Sequence, residues 1–346
     1  LPPDDTFLGE EEINLLQPGN GGGDSTLQAE QQAYWIASKM GLPICYRRSI
    51  HLFVNGLRRG MLFEDAQQPN RDFVKEWYPE DSDGDLHKVQ LWFEFDDLAS
   101  SFTAVGANLA NYVTTGGVKK LARYRWTWAK RAYGKDANNY TNLFALVDTV
   151  NTSAKGEAYT RTIQSSIDVE QWYKTHTVEH IVGNSDCYSY GGGQNMYAYK
   201  QPNGFWNLLI WDIDFAFFAQ GPTSDLFNIG GANVGPVNTH PPFARIYWQE
   251  LIRAANGPLQ SSQANTILDA RYNAFCGDGI SPTSPQSIKD FIAARRDYIL
   301  GLVQSNSIPF EITDGDDFST NRNLIVLTGT APLEVRTITV NGTPYD

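Results

Sequence analysis

Along the chain, apolar positions first recur at helical spacing over residues 25–40, where Ser25 with Gln28 three residues on forms a capping box and Gly41 marks the stop. The period then shortens to two. Residues 50–54 and 60–64 flank Asn55-Gly56, a strong short hairpin signal, and a third strand is expected over 85–94, after the turn Asp81-Ser82-Asp83-Gly84. From about Thr115 the helical period returns over 117–131, 139–151 and 169–181, the last capped by Asp168 and closed by Gly183. Two strands, 195–199 and 206–212, interrupt the helices as a hairpin about Pro202-Asn203-Gly204. Helices follow over 244–255 and 288–304, the second started by Ser287 with Asp290 at the capping-box position. After Ile308-Pro309-Phe310 the pattern is strand-like at 324–327 and 337–340. This order predicts an α+β chain: a small unit with an antiparallel sheet over 1–110, a larger helical unit over 111–305, and the start of a β extension over 306–346.

Composition narrows the function. Apolar residues make up 41% of the 346 positions, which excludes disorder as the main state, and a charged fraction of only 19% argues against a long coiled coil. The net charge of −12 would repel a nucleic-acid backbone over most of the surface, so nucleic acid is not an expected partner. No run reaches the length of a membrane span; the most apolar segment, 205–218, is broken by Asn207, Asp212 and Asp214. Cys45, Cys187 and Cys276 allow at most one disulfide and form no CxxC pair. The chain opens Leu-Pro-Pro with neither Met nor signal segment, as expected of a processed form or a fragment.

The densest candidate chemistry is Asn184-Ser185-Asp186, then Asn195, then Trp211-Asp212-Ile213-Asp214. A helix exit, a strand and the end of its paired strand would bring three carboxylates and an amide to one edge. Phosphoryl transfer needs such a set: one carboxylate to accept the hydroxyl proton, and an Asn with an Asp to hold Mg²⁺ against nucleotide phosphates. The order, Asp186 then Asn195 nine residues on, then a hairpin and Asp212, is also the order in protein kinases, at looser spacing. The plainer alternative makes Asp186 a helix-stop residue and Asp212 and Asp214 a strand-end turn. An aspartate within the apolar run 208–215 is costly to bury without a partner, which favours a metal.

Together, Asn55-Gly56, residues 60–64, residues 85–88, Asn184-Ser185-Asp186, residues 194–199 and Trp211-Asp212-Ile213-Asp214 resemble the spore-coat protein H (CotH) kinase family, over roughly residues 20–305. The resemblance implies an atypical, two-lobed protein-kinase-like fold that transfers phosphate from ATP to Ser or Thr of a surface or coat protein, using Mg²⁺ or Mn²⁺. It assigns Asp186 the catalytic-loop role and Asp212 the metal role, with Asn195 and Asp214 as further ligands, and it implies an extracellular or cell-surface location. Two departures stand out: Ser185 replaces a Trp common in the family, and members usually carry further strands upstream of residue 1. Within this chain the cation expected at the nucleotide is Lys88, with Glu64 on a neighbouring strand as its ion-pair or second metal-site partner.

Other patterns compete. His176-Thr177-Val178-Glu179-His180 matches the H-x-x-E-H zinc-peptidase pattern, with both rings on one helix face and Glu250 as a third ligand. A non-catalytic surface or coat-assembly protein is the third class. Lys119, Arg123 and Trp126 form a basic face in an acidic chain, suited to an acidic protein or a phosphate and equally to a solvated helix. Gly21-Gly22-Gly23 is either an anion cradle or a simple loop, and Asp81–Asp85 is read as a turn, since Gly84 is misplaced for an EF-hand. Sequons at Asn139, Asn151 and Asn341 matter only on a eukaryotic secretory route.

Overall fold

The computed structural model describes residues 14–18, 23–95, 102–134, 136–153, 156–229, 235–312 and 319–345. Strand β1 (Leu15–Leu16) precedes helix α1 (Ala29–Lys39). The expected Ser25–Gln28 box does not cap α1. The Asp24 carboxylate instead accepts the N–H groups of Thr26, Gln28 and Ala29 at 2.8, 2.9 and 2.8 Å. One carboxylate thus satisfies several orphan donors and suits the positive end of the helix dipole. Gly21 and Gly22 of the glycine turn lie outside the described residues.

Strands β2 (Arg47–Val54) and β3 (Leu57–Ala66) pair about Asn55-Gly56 as expected; both turn residues take left-handed backbone, φ 52° and 78°, which a type I′ turn demands. The sheet order is β1-β3-β2. Helix α2 (Arg71–Trp77), capped by the Asn70 side chain, follows. The strand expected over 85–94 is two strands. β4 (Asp85–Val89) stops where Val89 is buried, and β5 (Trp92–Phe95) turns away to pair with β6 (Phe102–Val105). Nor does β4 extend the β2–β3 sheet. It lies inside a four-stranded antiparallel sheet of order β7-β4-β8-β9, with β7 (Trp128–Ala132), β8 (Met196–Lys200) and β9 (Trp206–Ile210). Hydrogen-bonded ladders therefore join residues before 110 to residues after it.

The helix expected over 117–131 is short, α3 (Leu121–Thr127), because Trp128 and Ala132 are buried as sheet residues opposite Val89 and Leu86. The other helices are α4 (Thr141–Val150), α5 (Gly156–Gln164), α6 (Val169–Ile181), α7 (Gly235–Thr239), α8 (Pro241–Asn256), α9 (Ser261–Gly277) and α10 (Gln286–Ser305). The described residues thus form an α+β fold of ten helices and small antiparallel sheets. Pro285 rather than Ser287 stands at the N-cap of α10. Helix α9 buries only Ala264, Leu268 and Phe275, too thin an apolar stripe to mark it in the sequence. Towards the end lie two small pairs, β10 (Glu311–Ile312) with β11 (Gly329–Thr330) and β12 (Ile338–Val340) with β13 (Thr343–Tyr345). The strand expected over 324–327 is absent, and its four apolar side chains are exposed.

The main core lies where α6 packs between β9 and α8. Nearly every side chain of α6 is buried, polar ones included. One of them, Gln171, acts as a substitute strand: its Oε1 accepts the Leu208 N–H at 2.8 Å and its Nε2 donates to the Leu208 carbonyl. Trp172 Nε1 donates to the Trp206 carbonyl at 2.8 Å, and Trp206 N–H donates to Ser166 at 2.9 Å. The open edge of β9 is thereby closed, which fixes the strand that leads into Asp212.

Candidate active site

Five of the residues expected at the site, Asp186, Asn195, Asp212, Asp214 and Lys88, are half-buried, exposed enough for a ligand and shielded enough for strong electrostatics. Asp186 follows the exit of α6. Gly183 turns the chain at φ 71°, and Asn184 then donates through Nδ2 to Glu179 Oε2 at 2.6 Å and through its N–H to the Glu179 carbonyl at 3.0 Å, tying the loop to the helix. Asn195 Nδ2 donates to the Asp186 carbonyl at 2.8 Å and to Asp186 Oδ2 at 3.0 Å, while Gln194 Nε2 donates to Asp186 Oδ1. The amide of Asn195 is thus oriented by Asp186, which leaves Oδ1 as its oxygen donor for a cation.

Between Asp186 and Asn195 runs Gly191-Gly192-Gly193, which the sequence reading passed over. Here glycine is required at Gly193: its φ is 62°, and a Cβ would fall 2.6 Å from Ala107 N and O. The loop lies flat on residues 106–107, with Ala107 N–H donating to the Gly193 carbonyl at 2.8 Å. Asn195 and Asp212 are themselves left-handed, each at φ 57°. Asn and Asp adopt this backbone more readily than other non-glycine residues, and such positions gather at functional sites.

Lys88 sits on β4 opposite Tyr197 of β8. Burial pulls its ammonium down, the Arg131 charge adds to this, and Asp212 opposes it. Asp212 is raised above the usual carboxylate range by burial first; Lys88 and Arg47 oppose this and the Asp186 charge reinforces it. Asp212 therefore feels both Lys88 and Asp186, so the structure brings the β4 cation and these two carboxylates into one electrostatic neighbourhood. Asp214, like Asp212, adds a smaller upward push to the Glu30 carboxyl that burial already raises, so both aspartates lie within electrostatic reach of Glu30.

Glu64 is not joined to Lys88. Its ion pair is with Arg47 at the start of β2: Arg47 Nε donates to Glu64 Oε2 at 2.7 Å, a second bond comes from Nη2, and Gln31 Nε2 donates to Glu64 Oε1 at 2.8 Å. Arg47 Nη2 also reaches Glu30 Oε2 at 2.7 Å, and the guanidinium lies over the Tyr34 ring at 5.1 Å. All three side chains are buried, yet among the described residues Arg47 Nη1 and Glu30 Oε1 make no hydrogen bond. Arg47 escapes the sequence pattern because the expected strand begins at residue 50, three residues after β2 does, and β2 shows no clean inward alternation. Replacing Arg47 by methionine should remove the ion-pair partner of buried Glu64 and the donor to Glu30, and cost about 3–5 kcal/mol of stability, read by urea unfolding. A variant as stable as the parent would show that the clasp is not held together by charge.

The zinc pattern does not form a centre. His176 and His180 are buried, His176 makes no hydrogen bond within the described residues, and His180 Nε2 meets Ser189 Oγ at 3.1 Å while its ring stacks on Tyr190 at 4.1 Å. Glu250, the expected third ligand, pairs with Arg253 at 3.5 Å. Among the described residues no three His, Cys, Asp or Glu side chains converge as a metal cluster. The motif is core: the helical spacing that aligns the two histidines turns them toward Tyr173, Tyr190 and Tyr247, away from the face that Gln171 and Thr175 bond to β9.

This buried set sets the pH response. Burial raises Glu30 and Glu179 from 4.5 to about 8, so each binds a proton when folded that it loses when unfolded, and stability falls as pH rises between these values. Burial lowers His87 and His176 from 6.5 to about 4, and lowers His180 further, so stability falls as pH drops below 6.5. The thermal midpoint is expected to peak near pH 6.5 and to decline toward pH 8, with Glu179→Gln flattening the alkaline limb. Calorimetry that finds the midpoint still rising from pH 6.5 to 8 would refute this assignment.

The remaining patterns are structural in the described chain. Asp81 accepts the Tyr199 hydroxyl through its carbonyl at 2.5 Å, and Asp85 takes Lys130 at 2.9 Å, so the acidic stretch is a turn bound into the sheet. Asn139 Oδ1 accepts the Thr141 N–H at 3.0 Å, while Asn151 Nδ2 donates to Leu109 and Val147 carbonyls at 2.7 Å, both serving ends of α4. Cys45, Cys187 and Cys276 are free. No helix among the described residues is long and apolar enough to cross a membrane.

The family described as CotH kinase protein matches residues 2–274, a span that holds every candidate site residue, and the chain belongs to this family. Membership marks it as kinase-like. A comparison with curated proteins found no match.

Proposed function

We propose that this chain transfers the γ-phosphoryl group of ATP to a Ser or Thr hydroxyl of a surface or coat protein. The observation that carries the proposal is the pair of hydrogen bonds from Asn195 Nδ2 to Asp186, beside an Asp212 carboxylate under the influence of both Asp186 and Lys88. In this reading β8 and β9 form the hinge side of a two-lobed, kinase-like arrangement, with α1 and the β2–β3 hairpin on the nucleotide side. The family resemblance alone supports an extracellular or cell-surface location.

The donor set suits Mg²⁺ or Mn²⁺. Asp212, Asp214 and the Asn195 amide offer hard oxygen atoms, and Mg²⁺ is commonly held by one or two carboxylates plus phosphate oxygens and water, without a full protein cage. The metal would neutralise charge on the β- and γ-phosphates. Lys88 contributes a further positive charge beside Asp212. Arg47, whose Nη1 has no hydrogen-bond partner among the described residues, supplies another from β2, held in position by Glu30 and Glu64. Asp186 accepts the proton of the acceptor hydroxyl at a carboxylate oxygen, its orientation set by Gln194 and Asn195. Calorimetric titration with ATP tests the nucleotide half of this reading: binding should require Mg²⁺ or Mn²⁺ and weaken in Lys88→Ala. Equal affinity with EDTA and in the variant would refute it.

A further inference from the structure

Next to the Asp186 loop lies an open groove of about 640 Å³, lined by Trp92, Lys119, Lys120, Leu121, Arg123 and Trp126 among others. It opens at the basic face of α3. Trp92 and Trp126 stack with ring centroids 4.3 Å apart, and Trp126 is still 47% exposed, so a ring face remains open to a ligand. Two of the cations are set in place by the fold. Lys119 Nζ donates to Asn111 Oδ1 at 2.6 Å and pairs with Asp148, and the Arg123 guanidinium lies over the Tyr112 ring at 4.7 Å. Lys120 is exposed and makes no ion pair among the described residues. Among the described residues, none of the groove's lining side chains is acidic, in a chain whose net charge is −12.

The groove is joined to the catalytic loop by backbone. Arg123 Nη2 donates to the Gly106 carbonyl at 3.5 Å. A Cβ on Gly106 would fall 3.0 Å from the Gly192 carbonyl oxygen, and one on Gly192 would fall 3.7 Å from Asp186 Oδ1. Arg123, Gly106, Gly192 and Asp186 thus adjoin one another in turn, a path along which a polypeptide seated on the Trp pair would reach the three-glycine loop and Asp186.

We propose that this groove docks an acidic segment of the acceptor protein and so presents a neighbouring hydroxyl to Asp186. The inference rests on the phosphotransfer reading. Charge complementarity carries the choice of occupant: an acidic polypeptide is repelled by most of this surface and attracted here, which aligns it on approach. The exposed Trp126 ring adds apolar contact for an aromatic or aliphatic residue within the same segment.

The test uses the full chain and two fluorescein-labelled peptides, one with a serine and a tyrosine among glutamates, the other with each glutamate changed to lysine. Fluorescence anisotropy is recorded without nucleotide. The acidic peptide should bind at least about tenfold more tightly than its basic counterpart, weaken with added salt, and lose about tenfold in affinity in Lys120→Glu and in Trp126→Ala. Circular dichroism checks that both variants fold, and Lys120→Gln provides a milder second variant with a smaller loss in the same direction. Equal binding of the two peptides, or unchanged binding in all three variants, overturns the proposal. So does a loss of Mg-ATP affinity in Lys120→Glu, since the groove would then be a nucleotide site. Failure of the phosphotransfer reading is seen separately, as absence of Mg-ATP binding in the parent chain.

Discussion

Asp212→Ala is expected to reduce phosphate transfer from ATP by about three orders of magnitude or more, while far-ultraviolet circular dichroism stays unchanged. A carboxylate placed to neutralise phosphate charge through a metal acts in the transition state, so its loss falls on kcat as well as on ATP affinity. The left-handed backbone at Asp212, φ 57°, complicates the alanine variant, which has to adopt that conformation with a Cβ and no polar side chain. Asp212→Asn separates the two effects, since asparagine tolerates this backbone and removes only the charge. Activity lost in both variants assigns the effect to the carboxylate. Activity kept in Asp212→Asn would assign the alanine defect to the backbone and remove Asp212 from the site.

For Asp186→Asn the expected pattern is different: Mg-ATP affinity close to that of the parent, and turnover lower by about 10²–10⁴-fold, the usual contribution of a general base. Asparagine keeps one oxygen, enough to accept from Gln194 or Asn195 but not from both, and the bond from Asn195 to the Asp186 backbone carbonyl is untouched, so the loop should stay in place. Calorimetry and initial rates on the same preparation decide the matter. A fall in ATP affinity that matches the fall in rate would move Asp186 into the metal shell.

Local patterns were legible in the sequence where one physical cause dominated. The Asn55-Gly56 hairpin follows from the need for positive φ at both turn residues, and helix α6 from its cap, its period and its glycine stop. The order Asp186, Asn195, Asp212 was readable too, because a β hairpin brings its two ends together whatever the rest of the fold does. Pairing partners were harder. Strand β4 carries alternation compatible with either sheet, and only the burial of Leu86, His87 and Val89 against β7 and β8 selects the four-stranded one. The helix expected through Arg131 failed for a related reason: Thr127-Trp128 fits both periods, and tertiary pairing with Val89 decided for a strand. Glu64 was found but given the wrong cation, since sequence cannot show that Arg47 shares its face across a hairpin with a bulge between Ile50 and Leu52. The H-x-x-E-H pattern shows the reverse error, a motif whose spacing is right and whose burial denies it a ligand.

The most direct measurement of the central claim is incubation of the parent chain and Asp212→Asn with γ-labelled ATP and a mixture of candidate acceptor proteins, in Mg²⁺ and in EDTA. The site described here predicts label in protein for the parent with Mg²⁺ and in none of the other three samples. Label absent from the parent with Mg²⁺, or present at equal level in Asp212→Asn, would contradict it.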